Sequence, residues 1–180
     1  SIGGKTAVDL ASGKNLVGLF NQPSMVLIDP AFLRTLPDRQ FRSGLGEVIK
    51  CGVIADEKLF RILEGTTLYR LRGNGPLLEE VISRAVKVKA SVVEKDELEK
   101  KGLRTLLNFG HTFGHAVEAA AGFGKSFTHG EAVAVGMQVA SAISLRLGRM
   151  REQDHRRLIA LIRRMGLPTR AHGLEPARIR

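Results

Sequence analysis

Residues 108–115 of this 180-residue chain read Asn-Phe-Gly-His-Thr-Phe-Gly-His. His111 and His115 are four residues apart, so they share one face of a predicted helix, and Asn108 joins that face. Glycine within a helix costs up to about 1 kcal/mol relative to alanine. The two glycines here therefore suggest a close approach of a ligand or of another backbone segment.

A second stretch, Thr-His-Gly-Glu at 128–131, contains a capping-box pattern, which predicts that a helix begins beside His129. Upstream, the apolar stretch 44–50 contains Glu47. A carboxylate in apolar surroundings needs a metal or a charge partner. With His111 and His129, Glu47 would complete a three-ligand site with an open position for water or substrate hydroxyls. Zinc suits these ligands, although cobalt, manganese and iron remain open.

Several basic residues could contribute to an anion site. Lys50 lies three residues after Glu47, either in a surface ion pair of little energetic value or in an apolar environment. Dispersed cations next to glycines or at helix boundaries suit a substrate with a phosphate and a carboxylate, and solvated side chains are the simpler interpretation. An arginine fork binds both oxygens of a carboxylate. The dispersed candidates are Lys5, Lys14, Lys89 and Arg104.

Composition narrows the class of protein. Hydrophobic residues make up 43% of the chain and charged residues 26%, which is typical of a globular domain. The sequence has no apolar run long enough to span a bilayer and no recognisable secretory signal. Cys51 is the single cysteine, which fits a reducing cytoplasm, and we interpret it as a small buried side chain rather than a reactive thiol.

Positive charge is concentrated near the end of the chain. The net charge is +10, and residues 146–180 contain ten arginines against three acidic residues. Such a segment could bind nucleic acid, but it lacks the aromatic residues on which bases stack. We therefore favour a solvated helix face and expect no nucleic-acid partner.

The pattern of apolar residues and turn formers predicts a β segment followed by a mostly helical body. Short apolar runs at 15–20 and 25–28 suggest strands. Periodicity and turn signals then predict five helices. The expected helices span 37–55, 77–97, 103–121, 128–147 and 152–165.

Five segments, taken in order, resemble 3-dehydroquinate synthases of the sugar-phosphate cyclase superfamily. They are SIGGKTAV at 1–8, GKNLVG at 13–18, GLGEVIK at 44–50, GLRTLLNFGHTFGHA at 102–116 and HGEAVAVGM at 129–137.

The resemblance implies a mainly α fold: a multi-helical metal- and substrate-binding domain at 31–180, preceded at 1–30 by a short β remnant of an α/β nucleotide-binding domain. It also implies a phosphorus–oxygen lyase of the shikimate pathway that converts 3-deoxy-D-arabino-heptulosonate 7-phosphate to 3-dehydroquinate and phosphate. NAD is transiently reduced, phosphate is eliminated, and an intramolecular aldol reaction closes the ring. Zinc or cobalt and NAD are the implied cofactors, in a cytoplasmic homodimer.

The resemblance also assigns roles to residues. Three match metal ligands: Glu47, His111 and His129. Lys50, His115 and Lys5 match catalytic positions, and Lys5 and Lys14 also match cofactor contacts. Five match substrate contacts: Lys14, Asn15, Lys89, Arg104 and Asn108.

Departures from the family pattern limit the expected activity. The glycine-rich NAD segment of the family and a C-terminal lysine-containing segment have no counterpart in the sequence. We therefore expect this chain to be inactive by itself. A related sugar-phosphate cyclase and a metal-dependent alcohol dehydrogenase remain the alternative enzymes, and a non-catalytic basic domain is the alternative outside enzymes.

Overall fold

The computed structural model describes residues 2–10, 13–122 and 126–174, apart from the side chains of residues 9 and 13–16. As expected, the described part is mainly helical, with one two-stranded sheet. The strands are β1 (Lys5–Leu10) and β2 (Gly13–Phe20), and 3-10 turns span Pro30–Arg34 and Leu103–Asn108. The α-helices are α1 (Asp38–Ile54), α2 (Glu57–Glu64), α3 (Leu68–Gly73), α4 (Gly75–Lys95), α5 (His111–Ala120), α6 (His129–Arg146) and α7 (Glu152–Arg164).

The two strands form an antiparallel hairpin in which Lys5 pairs with Phe20, with a register shift between Val8 and Leu10. The strand expected at 25–28 is wrong, because the described sheet contains only β1 and β2. Residues 25–28 therefore lack a neighbouring strand with which to form a ladder. Their side chains are exposed, with Leu27 at 86%.

Side-chain caps set the beginnings of several helices. The side chains of Asp56, Thr67 and Asn74 accept hydrogen bonds from backbone N–H groups in the first turns of α2, α3 and α4. The expected capping box of α6 is confirmed: Thr128 accepts from the N–H of Glu131, and Glu131 accepts from the N–H of Thr128. This cap fixes the point at which α6 begins.

The hydrophobic core lies between α1, α2, α4, α6 and α7. Helix α7 buries Leu158, Leu161 and Ile162 at helical spacing and turns most of its arginines toward solvent. Arg157 forms a bidentate ion pair with Glu64 of α2 at 2.6 and 2.9 Å. In the described part of the basic segment, the arginines of α7 thus form the charged outer face of an amphipathic helix, while Arg178 and Arg180 lie outside the described residues.

The single helix expected over residues 103–121 is wrong, because the chain is divided into a 3-10 turn and α5. Gly110 separates them with φ +82°, a left-handed conformation that glycine tolerates and that ends a right-handed helix. Asn108 is therefore the last residue of the 3-10 turn. The sequence pattern predicted that Asn108 shares a helical face with His111 and His115, and this prediction is wrong.

Candidate metal centre

Close packing of α6 against α1 brings Glu47 and His129 together. Gly130 is the second residue of α6, and its N–H donates to the Ser43 hydroxyl at 3.0 Å. A Cβ at Gly130 would lie 1.8 Å from the Ser43 carbonyl oxygen, so a larger residue does not fit without moving backbone. Glu47 is one turn after Ser43 on α1, which places its carboxylate beside the start of α6.

A second close crossing brings α5 against α6. A Cβ at Gly136 would lie 1.9 Å from the Gly110 carbonyl oxygen. The glycines in the histidine stretch thus accommodate another backbone segment, which is one of the two explanations that the sequence suggested. This crossing places His111, the first residue of α5, next to His129 at the start of α6.

The three expected ligands converge at these crossings. Glu47 Oε1 lies 3.5 Å from His111 Nε2 and 3.7 Å from His129 Nε2. The two imidazole ring centroids are 5.3 Å apart. Donor atoms of all three side chains lie within 4.8 Å of one another. Three different helices therefore direct one oxygen and two nitrogens toward a common point.

The Glu47 carboxylate is electrostatically prepared to stay ionised. Lys50 is buried and donates to Glu47 Oε2 at 2.7 Å, so this pair is not the surface ion pair considered from the sequence. Burial would raise the pKa of Glu47, but His129, Lys50 and His111 outweigh it and lower the pKa to about 2. The other oxygen, Oε1, is buried and has no hydrogen-bond partner among the described residues.

The two histidines differ in their surroundings. Burial, followed by the positive charge of Lys50, lowers the pKa of His111, which favours the neutral imidazole that a metal requires. Glu47 raises the pKa of His129 against the effect of burial, and Glu118 raises it further. Metal binding at His129 would therefore have to release a proton whenever that imidazole is charged.

His115 lies beside this cluster, on the exposed side of α5. Its ring centroid is 5.3 Å from that of His111 and 6.2 Å from that of His129. A second set of potential ligand atoms consists of His115, Glu118 and His129. Since His129 belongs to both sets, the two sets describe adjacent parts of one site.

Lys5 and Arg104 meet near the hairpin. Lys5 forms an ion pair with Glu99 at 2.7 Å. The buried Arg104 guanidinium donates to the main-chain carbonyls of Glu97 and Gly3 at 2.9 and 3.3 Å. Both cations lie within 6 Å of the Phe20 ring centroid, at 5.9 and 5.8 Å. These two predicted site residues therefore share one location, where they join the hairpin to the loop before Arg104.

For the other residues with predicted substrate contacts, the structure describes no contact with Glu47, His111 or His129. Lys89 is exposed on α4. Asn108 is exposed and lines a cavity of about 550 Å³ with Phe109 and Phe113. The side chains of Lys14 and Asn15 lie outside the described residues. Their predicted roles, and those of Lys5 and Arg104, stay predictions.

Cys51 is buried in the core, as expected, and burial is the main cause that raises the pKa of its thiol. A thiol with a raised pKa forms little thiolate at neutral pH and is correspondingly unreactive. The simpler interpretation of the single cysteine therefore agrees with the structure.

Two carboxylates, Glu118 and Asp96, and the ion pair of Glu131 with Arg39 were missed in the sequence. Glu118 lies three residues after His115, a spacing that could have placed it on the same helix face. Glu131 was recognised as a cap, but its bidentate partner Arg39, at 2.8 and 2.9 Å, was not. Asp96 accepts from the N–H groups of Lys101, Leu103 and Arg104. No short-range sequence pattern predicts these hydrogen bonds.

The cluster fits a divalent metal on its own chemistry. Two imidazole nitrogens and one carboxylate oxygen form a three-ligand set of the kind that catalytic zinc sites use with one position left for water or substrate. Glu47 Oε1 is buried and has no hydrogen-bond partner among the described residues, while Lys50 donates to Oε2, so Oε1 keeps an acceptor position that a metal ion could take. Glu47, His111 and His129 are therefore the residues that would hold the metal.

Comparisons with known proteins identify the family to which the chain is similar. Family models described as 3-dehydroquinate synthase C-terminal and N-terminal match residues 44–180 and 1–43. A 3-dehydroquinate synthase from Pelobacter propionicus is 51% identical over 168 residues, which is 93% of this chain and 46% of that protein. One from Nostoc punctiforme is 52% identical over 171 residues, or 94% and 47%. The chain thus spans about half the length of these relatives.

Solved structures of related cyclases have the same fold. The 2-epi-5-epi-valiolone synthase ValA from Streptomyces hygroscopicus, with NAD⁺ and Zn²⁺ bound, matches with a TM-score of 0.88 and 33% identity, covering 99% of this chain and 49% of that one. A 2-deoxy-scyllo-inosose synthase complexed with carbaglucose-6-phosphate, NAD⁺ and Co²⁺ matches with a TM-score of 0.78 and 34% identity, covering 98% and 47%. With both family models matched in order along its length, this chain belongs to the 3-dehydroquinate synthase family.

Proposed function

We propose that this chain is the metal- and substrate-binding part of a 3-dehydroquinate synthase. The proposed reaction converts 3-deoxy-D-arabino-heptulosonate 7-phosphate to 3-dehydroquinate and phosphate, with NAD and a divalent metal. One observation carries the metal site: Glu47 Oε1 faces Nε2 of His111 and His129 at 3.5 and 3.7 Å and has no hydrogen-bond partner among the described residues. The names of the relatives support the reaction.

The residues of the site suit a polyhydroxylated anionic substrate. A metal bound by Glu47, His111 and His129 would lower the pKa of a substrate alcohol and polarise a carbonyl. The buried Lys50 ammonium lies beside that position, 2.7 Å from Glu47 Oε2, and would stabilise negative charge that develops on the substrate. His115 is exposed at the edge of the cluster, where an imidazole can accept or donate a proton.

The proposed reaction would need an NAD-binding part of the enzyme in addition to the metal-binding part. NAD, when bound, accepts and returns a hydride. The resemblance implies that NAD binds to a glycine-rich segment of the family, and this sequence contains no counterpart of that segment. We therefore expect the 180-residue chain to bind metal and to show no phosphate release with substrate and NAD. A measurable rate of phosphate release by the chain alone would overturn this expectation.

Calorimetric titration of the metal-stripped chain with Zn²⁺ tests the metal site. We expect one ion per chain, with binding lost in His111→Ala and Glu47→Ala. His172→Ala is the matched control, since this histidine is exposed near the end of the described chain and should leave the titration unchanged. Absence of binding by the parent chain, or full binding by both ligand variants, would refute the proposed ligands.

A related sugar-phosphate cyclase is the second candidate, because the two solved structures described above are named as synthases of other products. The substrate carboxylate distinguishes the candidates. The zinc-loaded chain should bind the carboxylate-bearing heptulosonate phosphate more tightly than a heptulose phosphate without that group. Equal binding of both sugars would favour the second candidate.

A further inference from the structure

Glu118 contacts His129, one of the proposed metal ligands, at the ring nitrogen that does not face Glu47. It lies on α5, and its side chain is 7% exposed. Its Oε2 is 3.1 Å from His129 Nδ1, within hydrogen-bond distance, whereas the other ring nitrogen, Nε2, is the one that faces Glu47. The two nitrogens of one imidazole therefore face two different carboxylates.

We propose that Glu118 is a positioning residue that fixes the orientation and tautomer of His129 for metal binding. An ionised carboxylate can only accept hydrogen bonds, so the ring must carry its proton on Nδ1 to bond with Glu118. In the neutral ring, Nε2 then holds a lone pair that points toward Glu47 and His111. This inference rests on the proposed metal site and adds a residue that supports it.

His111 achieves the same end by different means. Its Nδ1 lies 3.4 Å from the main-chain carbonyl oxygen of Phe109, while its Nε2 faces Glu47. Each expected histidine ligand thus directs Nδ1 toward an oxygen acceptor and Nε2 toward the cluster. Since the acceptor at His111 belongs to the backbone, the side-chain acceptor at His129 is the one that mutation can remove.

The Glu118 side chain is buried, whereas the His129 side chain in the same contact is 44% exposed. Glu118 is held on α5 near the crossing with α6, where Gly114 packs against Val133. A partner that orients a ligating histidine contributes to metal affinity, and losing such a partner typically costs 10–100-fold. Glu118 could instead bind a second metal with His115 and His129, and the number of ions bound separates this role from positioning.

The experiment compares Zn²⁺ affinity and stoichiometry in the parent chain, Glu118→Ala and Glu118→Gln. We expect one ion per chain throughout, a 10–100-fold loss of affinity in the alanine variant, and a smaller loss in the glutamine variant, whose side-chain oxygen can still accept from Nδ1. Glu94→Ala, an exposed acidic residue on α4, is the charge-matched control and should bind like the parent.

Nitrogen-15 NMR of the metal-free chain at a pH where His129 is neutral gives the second readout. Glu118→Ala should shift the His129 tautomer toward Nε2, because Glu47 is then the carboxylate that still faces the ring. Normal zinc binding by Glu118→Ala with an unchanged tautomer would overturn the positioning role and leave the proposed metal site intact. Two ions bound by the parent would also overturn it. Absence of zinc binding by the parent refutes the metal site itself.

Discussion

Replacing Gly130 with alanine should separate the helices that form the metal site. The added Cβ would lie 1.8 Å from the Ser43 carbonyl oxygen, whereas carbon and oxygen atoms normally approach to about 3.3–3.6 Å. The Cβ–oxygen distance would thus be about 1.5 Å too short. Because the Cβ is fixed to the α6 backbone and the oxygen belongs to the α1 backbone, α6 must move relative to α1. Overpacking of this kind typically costs about 1–3 kcal/mol of folding free energy.

The same displacement should weaken metal binding, because His129 precedes Gly130 and Glu47 lies on the opposing helix. Functional groups need to be held within about 0.5 Å of a productive geometry. We expect at least a tenfold loss of Zn²⁺ affinity by calorimetry, together with a lower free energy of unfolding in urea, followed by circular dichroism.

Gly44→Ala on α1 provides the matched control. A Cβ at Gly44 meets nothing within 4 Å, and alanine favours a helix interior by about 0.5–1 kcal/mol over glycine. This variant should be as stable as the parent or slightly more stable, with unchanged zinc affinity. If Gly130→Ala matched Gly44→Ala in both measurements, the close helix crossing would not be what holds the site together.

Three further predictions concern stability and surface charge. Asp56→Ala should cost about 1–3 kcal/mol in urea denaturation, because it removes both the α2 cap and the ion pair in which Arg84 Nη1 donates to the two Asp56 oxygens. Asp56→Asn should cost less, because asparagine still caps the helix. Burial would raise the pKa of Asp56, but the Leu59 N–H and Arg84 outweigh it, so this pKa is lowered from 3.8. The stability that its charge contributes is thus complete above pH 3.8 and lost as pH falls through the lowered pKa, and Asp56→Asn should flatten that part of the unfolding curve. Leu161→Ala, at a buried core position, should lower the free energy of unfolding by about 2–5 kcal/mol. Leu147→Ala, at 65% exposure, should change the urea midpoint little. Equal effects of the two substitutions would contradict the assigned core. In a gel-shift assay at physiological salt we expect no retardation of DNA or RNA, and a salt-dependent shift would instead identify the arginine-rich segment as a binding surface.

Local patterns in the sequence predicted much of the site. The spacing of His111 and His115, the capping box before His129 and the apolar setting of Glu47 all have direct structural counterparts. Where the prediction failed, a single backbone conformation or a missing neighbour was responsible. Gly110 adopts a positive φ and divides one expected helix, and residues 25–28 have no adjacent strand among the described residues.

Tertiary packing decided what the sequence could not. Nothing in a short window indicates that Gly136 lies against Gly110, or that Asp96 gathers the N–H groups of the loop before Arg104. The buried position of Lys50 likewise depends on helices remote in sequence. The sequence could therefore name the candidate ligands, but the distances between them follow from how α1, α5 and α6 cross.

If the proposed site binds a metal, these crossings would also couple metal binding to folding. Glu47 is far from the histidines along the chain, so an unfolded chain offers no ready-made set of three ligands, and an ion that prefers the folded chain acts as a reversible cross-link between α1, α5 and α6. By mass action, free metal at 100 times its dissociation constant would add about 2.7 kcal/mol to the free energy of unfolding. Cells depleted of the metal would then contain a less stable, more protease-sensitive form of this protein, so metal supply would affect its abundance.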